Sequence, residues 1–188
     1  MRRYAAATAA ALCLTATLAA PAATAAAGES DDEGWRPVDY PPVNYPAGER
    51  CDFPFRTEPI LDETMVKTVA TYPDGSPKTE LYKGALIVRV TNLETGAGYD
   101  ADAGGRSIVR YAPDGGHVSY ATGPVLIGFK DGQGNLPRGE YLVDGVYTLE
   151  ITASGYRTVT WKEGTRKLTD VCNKIAWPGG VTPARHRR

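Results

Sequence analysis

Metal ligands of the soft and borderline kind are scarce in this chain of 188 residues, which carries 2 His and 3 Cys. His117 is the one histidine away from the C-terminal end. A tetrahedral zinc set cannot be assembled from it, and no cofactor is expected. An excess of positive charge is missing too. Between Cys51 and Cys172, 13 Lys and Arg stand against 16 Asp and Glu, a net of −3. A phosphate backbone needs a basic stripe, so nucleic acid is excluded as a partner. Beyond the N-terminal end no apolar run approaches the roughly 20 residues of a transmembrane helix. Helical periodicity never lasts three turns, which excludes crossover helices and the parallel sheets they build. Neither a nucleophile motif nor a glycine-rich phosphate loop occurs.

What is present begins with a leader. Arg2 and Arg3 precede an apolar, Ala-rich run and small residues through Ala27. This predicts a signal peptide over 1–27, with cleavage after Ala25 or, preferred, Ala27. The arginine pair lacks the flanking residues of a twin-arginine signal, and Leu12 is too bulky to precede a lipidated Cys13, so ordinary secretion to the exterior is expected. Removing Cys13 leaves Cys51 and Cys172 with a single connectivity. A bridge closing a loop of about 120 residues removes on the order of 4 to 5 kcal/mol of unfolded-state entropy. Residues 28–50 are acidic and Pro-rich and read as a disordered arm, while 173–188 read as a disordered basic tail. Their opposite charges are read as solvated ends.

Residues 51–172 are the size of one domain. Runs at 63–72, 79–92, 98–103, 107–112, 117–122, 124–130, 140–152, 156–162 and 167–172 are rich in β-branched and aromatic residues or alternate in polarity. Tight turns such as Pro73-Asp74-Gly75 and Pro113-Asp114-Gly115 separate them. Bends are expected at Gly123-Pro124 and at Asp144-Gly145. Eight or nine strands without crossovers predict an all-β antiparallel meander. Closure hides sheet edges, so an up-and-down β-barrel ranks above a two-sheet β-sandwich.

Four motifs add a resemblance: the Cys-x-Phe-Pro start at Cys51, Tyr-Pro-Asp-Gly from Tyr72, Thr-Asn-Leu-x-Thr-Gly from Thr91, and the closing Thr-Asp-Val-Cys at Cys172. Together they resemble a group of small secreted actinobacterial proteins of unassigned function. The resemblance implies a fold and carries no functional residue.

Candidate sites are few. His117 and Ser119 share a strand face, and a carboxylate from Asp100 or Asp102 is the third group a hydrolase would need. Neighbours at i and i+2 stand about 7 Å apart, too far for a base to touch its nucleophile. The pair therefore reads as a solvated strand face. Asp100 and Asp102 also share a face, and two lumen carboxylates act as acid and base where their environments differ. No motif surrounds them, and exposed polar positions are the simpler reading. Asp131, Gln133 and Asn135 have the spacing that opens a calcium loop, but Leu136 and Leu142 replace its Gly and Glu. Tyrosines 72, 82, 99, 111, 120, 141, 147 and 156, with Phe129 and Trp161, suit a core or a ligand cavity.

Elimination leaves three classes. The expected one is a secreted, non-catalytic binding or interaction module for a small apolar or sugar-like ligand or an exterior protein partner. The alternatives are a hydrolase or isomerase using lumen carboxylates and an envelope or matrix structural protein.

Overall fold

A computed structural model describes residues 34–177. The N-terminal strands are β1 (Arg36–Pro37), β2 (Val43–Tyr45), β3 (Phe55–Asp62), β4 (Met65–Thr71), β5 (Pro77–Lys83), β6 (Leu86–Asn92) and β7 (Gly98–Asp102). Then come β8 (Arg106–Tyr111), β9 (His117–Thr122), β10 (Val125–Phe129), β11 (Gly139–Asp144), β12 (Val146–Ile151), β13 (Arg157–Trp161), β14 (Lys167–Asp170) and a short helix, α1 (Val171–Ile175). They form a seven-stranded sheet (β1-β4-β5-β8-β9-β12-β13), a four-stranded sheet (β2-β3-β6-β7) and a three-stranded sheet (β10-β11-β14). Every ladder between these strands is antiparallel.

None of the three sheets closes on itself, so the expected barrel gives way to a sandwich-like stack. The cause is a row of corners. The run 79–92 is two strands parted at Gly84, and the run 140–152 is parted at Gly145. Seven times the chain leaves one sheet and enters another, at β1/β2, β3/β4, β5/β6, β7/β8, β9/β10, β11/β12 and β13/β14, and the five inner changes are short corners. Neighbouring backbones meet at these corners: Glu63 N donates to Ala85 O at 2.8 Å, Gly105 N to Pro124 O at 2.8 Å, and Gly123 N to Gly145 O at 2.9 Å. Gly84 has φ 130° and Gly145 φ 120°. A Cβ at either would run into a neighbouring carbonyl, that of Glu63 or of Thr165. Glycine is thus required both by conformation and by closeness.

The three-stranded sheet lies between the other two. One of its faces packs Ile127, Phe129, Tyr141 and Val143 against Ala121, Tyr147 and Val159 of the seven-stranded sheet. Its other face sets Leu126 and Leu142 against Phe55, Val88 and Val90 of the four-stranded sheet and against Val171 and Ile175 of α1. Cover on both faces explains why Gly139, Glu140 and Tyr141 are buried in succession, where a half-wet strand alternates.

Cys51 and Cys172 are bonded, with Cα atoms 5.5 Å apart and a sequence separation of 121. The bond ties the approach to β3 to α1. Asp170 caps that helix by accepting from Asn173 N at 3.0 Å, and Asn92 Nδ2 donates to Ile175 O at 3.1 Å. Ile175 is fully buried, so the fold runs past the boundary expected at 172. The arm also departs from expectation. From Gly34 it lies on the domain, with β1 on β4 and β2 on β3, and Tyr45 stacks on Phe55 at 4.7 Å. A few well-placed apolar residues suffice to dock it, and its average composition hides them. The signal peptide expected over 1–27, the acidic residues 28–33 and the tail expected from 178 on lie outside the described residues.

Candidate functional site

A cavity of ≈ 430 Å³ lies among the three sheets, with Tyr40, Val43 and Tyr45 of the arm in its wall. Small-molecule sites commonly span about 300 to 1,000 Å³. Its apolar lining includes Leu86, Val88, Val125, Ile127, Leu149 and Ile151, and its polar groups include Tyr82, Ser107, Arg50, Glu140 and Arg157.

The charged groups converge on Gly128, which pairs with Glu140 across β10 and β11. The Arg50 guanidinium lies against Gly128, where any Cβ would collide with it. Its Nη1 donates to Glu140 Oε2 at 2.8 Å, and the Tyr45 ring lies 4.0 Å from its central carbon. Arg50 Nε is buried without a hydrogen-bond partner among the described residues. Arg157 Nη1 donates to the Gly128 carbonyl. No carboxylate among the described residues forms an ion pair with Arg157. Two guanidinium groups therefore stand near one carboxylate that pairs with Arg50 alone, in surroundings where an uncompensated charge is costly. Burial raises the Glu140 carboxyl, against the pull of Arg50 and Arg157. Burial and then Arg50 lower the Arg157 guanidinium. The disulfide holds both ends of the Arg50–Glu140 pair, since Cys51 follows Arg50 and Glu140 N donates to Cys172 Sγ at 3.3 Å.

A second buried carboxylate, Glu80 on β5, is saturated. It accepts from Thr68 Oγ1 at 2.9 Å, Tyr82 OH at 2.7 Å, Tyr111 OH at 2.9 Å and Arg36 Nη2 at 2.9 Å. Burial alone would raise this carboxyl, but the three hydroxyls and Arg36 outweigh it and hold it below its ordinary value. With its lone pairs occupied it acts as an anchor for three strands and Arg36.

The residues singled out from sequence are dispersed. His117 and Ser119 share the face of β9 that carries buried Ala121, so they point inward where a solvated face was expected. His117 lies 5.7 Å from Tyr111, ring to ring, and burial followed by Arg157 lowers its pKa. Asp100 and Asp102 point outward from β7, whose Ala101 is buried. Asp100 accepts from Arg89 Nε at 2.7 Å and Nη2 at 2.8 Å, and Asp102 accepts from Gly104 N at 3.2 Å. The inner carboxylates are Glu80 and Glu140 instead. In the loop considered for calcium, the Asn135 side chain donates to Val159 O at 2.8 Å and accepts from Val159 N at 2.9 Å, tying the loop to β13. No three of His, Cys, Asp and Glu gather as metal ligands among the described residues. No helix among them is long and apolar enough to cross a membrane.

The outer face of the seven-stranded sheet carries a broader groove of ≈ 970 Å³ that includes Trp35, Leu81, Ile108, Tyr120 and Val146. Ile108 and Tyr120 are 44% and 45% exposed, which makes it an open surface. The smaller cavity is the better candidate, because buried polar groups of both charges line it. Comparison with models of protein families, with curated proteins and with solved structures found no match.

Proposed function

We propose that this protein is an exported, non-catalytic binding module that holds a small, mostly apolar ligand in the cavity among its three sheets. The carrying observation is the ≈ 430 Å³ space itself, lined by aliphatic side chains with a few convergent polar groups. Export is supported by the leader pattern and by a disulfide suited to an oxidising compartment. A binding role in place of catalysis is supported by the state of the titratable groups. Glu80 is saturated, and His117 and Ser119 stand side by side on one strand without a hydrogen bond between them.

The test is native mass spectrometry of protein recovered from culture medium. A co-purifying small molecule is expected on the wild type and not on Ser107→Leu, which fills the cavity from β8 and should leave the melting temperature nearly unchanged. Bare protein across growth conditions, with no thermal stabilisation by added apolar molecules, would overturn the proposal.

A further inference from the structure

The polar groups of the cavity define which end of a ligand enters it. Arg157 is half-buried on the inward row of the seven-stranded sheet, beside Ile151 and His117. Its one side-chain hydrogen bond runs from Nη1 to the Gly128 carbonyl. A guanidinium has five N–H donors in a planar fork, so most of its capacity is left unused by the protein. Arg50 contributes charge but no free donor, since its Nη1 is taken by Glu140 and its Nε is buried against Gly128. Around Gly128 the formal charge of Arg50, Arg157 and Glu140 sums to one positive unit. His117 stands on the same inward row, on β9 and outside the cavity's lining, and burial followed by Arg157 lowers its pKa. Tyr45 and Tyr82 supply rings, the Tyr82 hydroxyl being taken by Glu80. Leu86, Val88, Leu149 and Ile151 offer apolar contact, and Thr57, Thr64 and Ser107 add uncharged hydroxyls.

We infer that the cavity takes a monoanionic amphiphile, an apolar body ending in a carboxylate, whose oxygens accept from the Arg157 guanidinium. This rests on the reading of the cavity as a ligand site. A single anionic head would bring the local charge to neutrality and satisfy donors that the fold leaves open. A neutral alcohol would satisfy the donors only in part and leave the charge. A cationic head would add a second unit of positive charge in a partly desolvated space, which is strongly unfavourable.

The experiment titrates the oxidised, full-length exported protein with three probes of one chain length: decanoate, decanol and decyltrimethylammonium, each below its micelle concentration. Decanoate is expected to bind at least about tenfold more tightly than decanol, the gain for one charge-assisted hydrogen-bonded contact, and the ammonium probe weakest. In Arg157→Gln the preference for decanoate over decanol should vanish while decanol affinity stays the same, whereas Arg157→Lys should keep part of the preference. Equal binding of decanoate and decanol to the wild type would overturn the acid-head inference and leave the cavity reading standing. Failure of all three probes to bind would remove both. The wild-type comparison decides the inference even where a variant folds poorly.

Discussion

Glu80 shows what one buried side chain does in this fold. It joins β4, β5 and β8 through Thr68, Tyr82 and Tyr111, and it holds Arg36 of β1. Glu80→Gln should cost about 2 to 4 kcal/mol in denaturant unfolding, from the lost ion pair and weakened hydroxyl bonds. The sign of its pH effect follows from the depressed folded value. As pH falls below about 4.3 the unfolded chain takes up the proton first, so the stability contributed by ionised Glu80 drains away toward lower pH. The variant should lack that acid-limb loss at this site, which paired unfolding curves at neutral and acid pH would reveal. Gly128→Ala tests the other carboxylate. The added methyl displaces the Arg50 guanidinium and leaves Glu140 buried with its partner disturbed, at a cost of up to about 3 to 5 kcal/mol. Combining it with Glu140→Gln should cost less than the two changes added, a coupling that a double-mutant cycle measures. Only part of this was legible in the sequence. Glu80 has the parity of Tyr82, Leu86 and Val88, and a charge on an apolar row signals a paired, buried carboxylate. Glu140, Arg50 and Arg157 gave no such signal, because their meeting point is a glycine that the sequence cannot distinguish from a turn.

At the scale of elements, alternation and turn chemistry located most strands. Pro73-Asp74-Gly75 and Pro113-Asp114-Gly115 both close as read, with Tyr72 N on Ser76 O at 2.9 Å and Ala112 N on Gly116 O at 2.8 Å. In each turn the aspartate also accepts a backbone N–H two residues on. What alternation did not reveal is direction. Side chains keep their parity through a corner, so the run 79–92 reads as one strand although it serves two sheets. Gly84→Ala separates the two roles of glycine. With positive φ and the Glu63 backbone in the way of a methyl, the change should cost about 2 to 4 kcal/mol in chemical unfolding. Gly75→Ala, in a turn with φ 83° and open space around it, should cost only about 1 to 2 kcal/mol. Strands β1 and β2 are too short for any periodic signal, and they form because the edges of β4 and β3 offer them hydrogen bonds.

For the molecule as a whole, the pairing of Cys51 with Cys172 was legible and the stacking of sheets was not. With Cys13 read as part of a leader, the two remaining cysteines allow one bond, whereas closure into a barrel and folding into leaves follow from corners that look like turns. Replacing both cysteines by serine should lower stability by roughly 4 to 5 kcal/mol in the loop-entropy account, and thermal unfolding of oxidised, reduced and serine forms would measure it. The corners carry a further consequence. A strand confined to one sheet can slip by a residue and disturb that sheet alone, but here a slip in β6 must pass through Gly84 into β5. It would turn Val88 and Val90 out of one core and Glu80 out of its ring of hydroxyls at the same step. Misregistered pairings are therefore penalised twice, and the leaves should open together. Amide hydrogen exchange is expected to give Leu81 and Val88, or Leu142 and Tyr147, one common opening free energy across each corner. Exchange of the three-stranded sheet at a much lower free energy than β9 and β12 would show instead that the corners act as hinges between independent leaves.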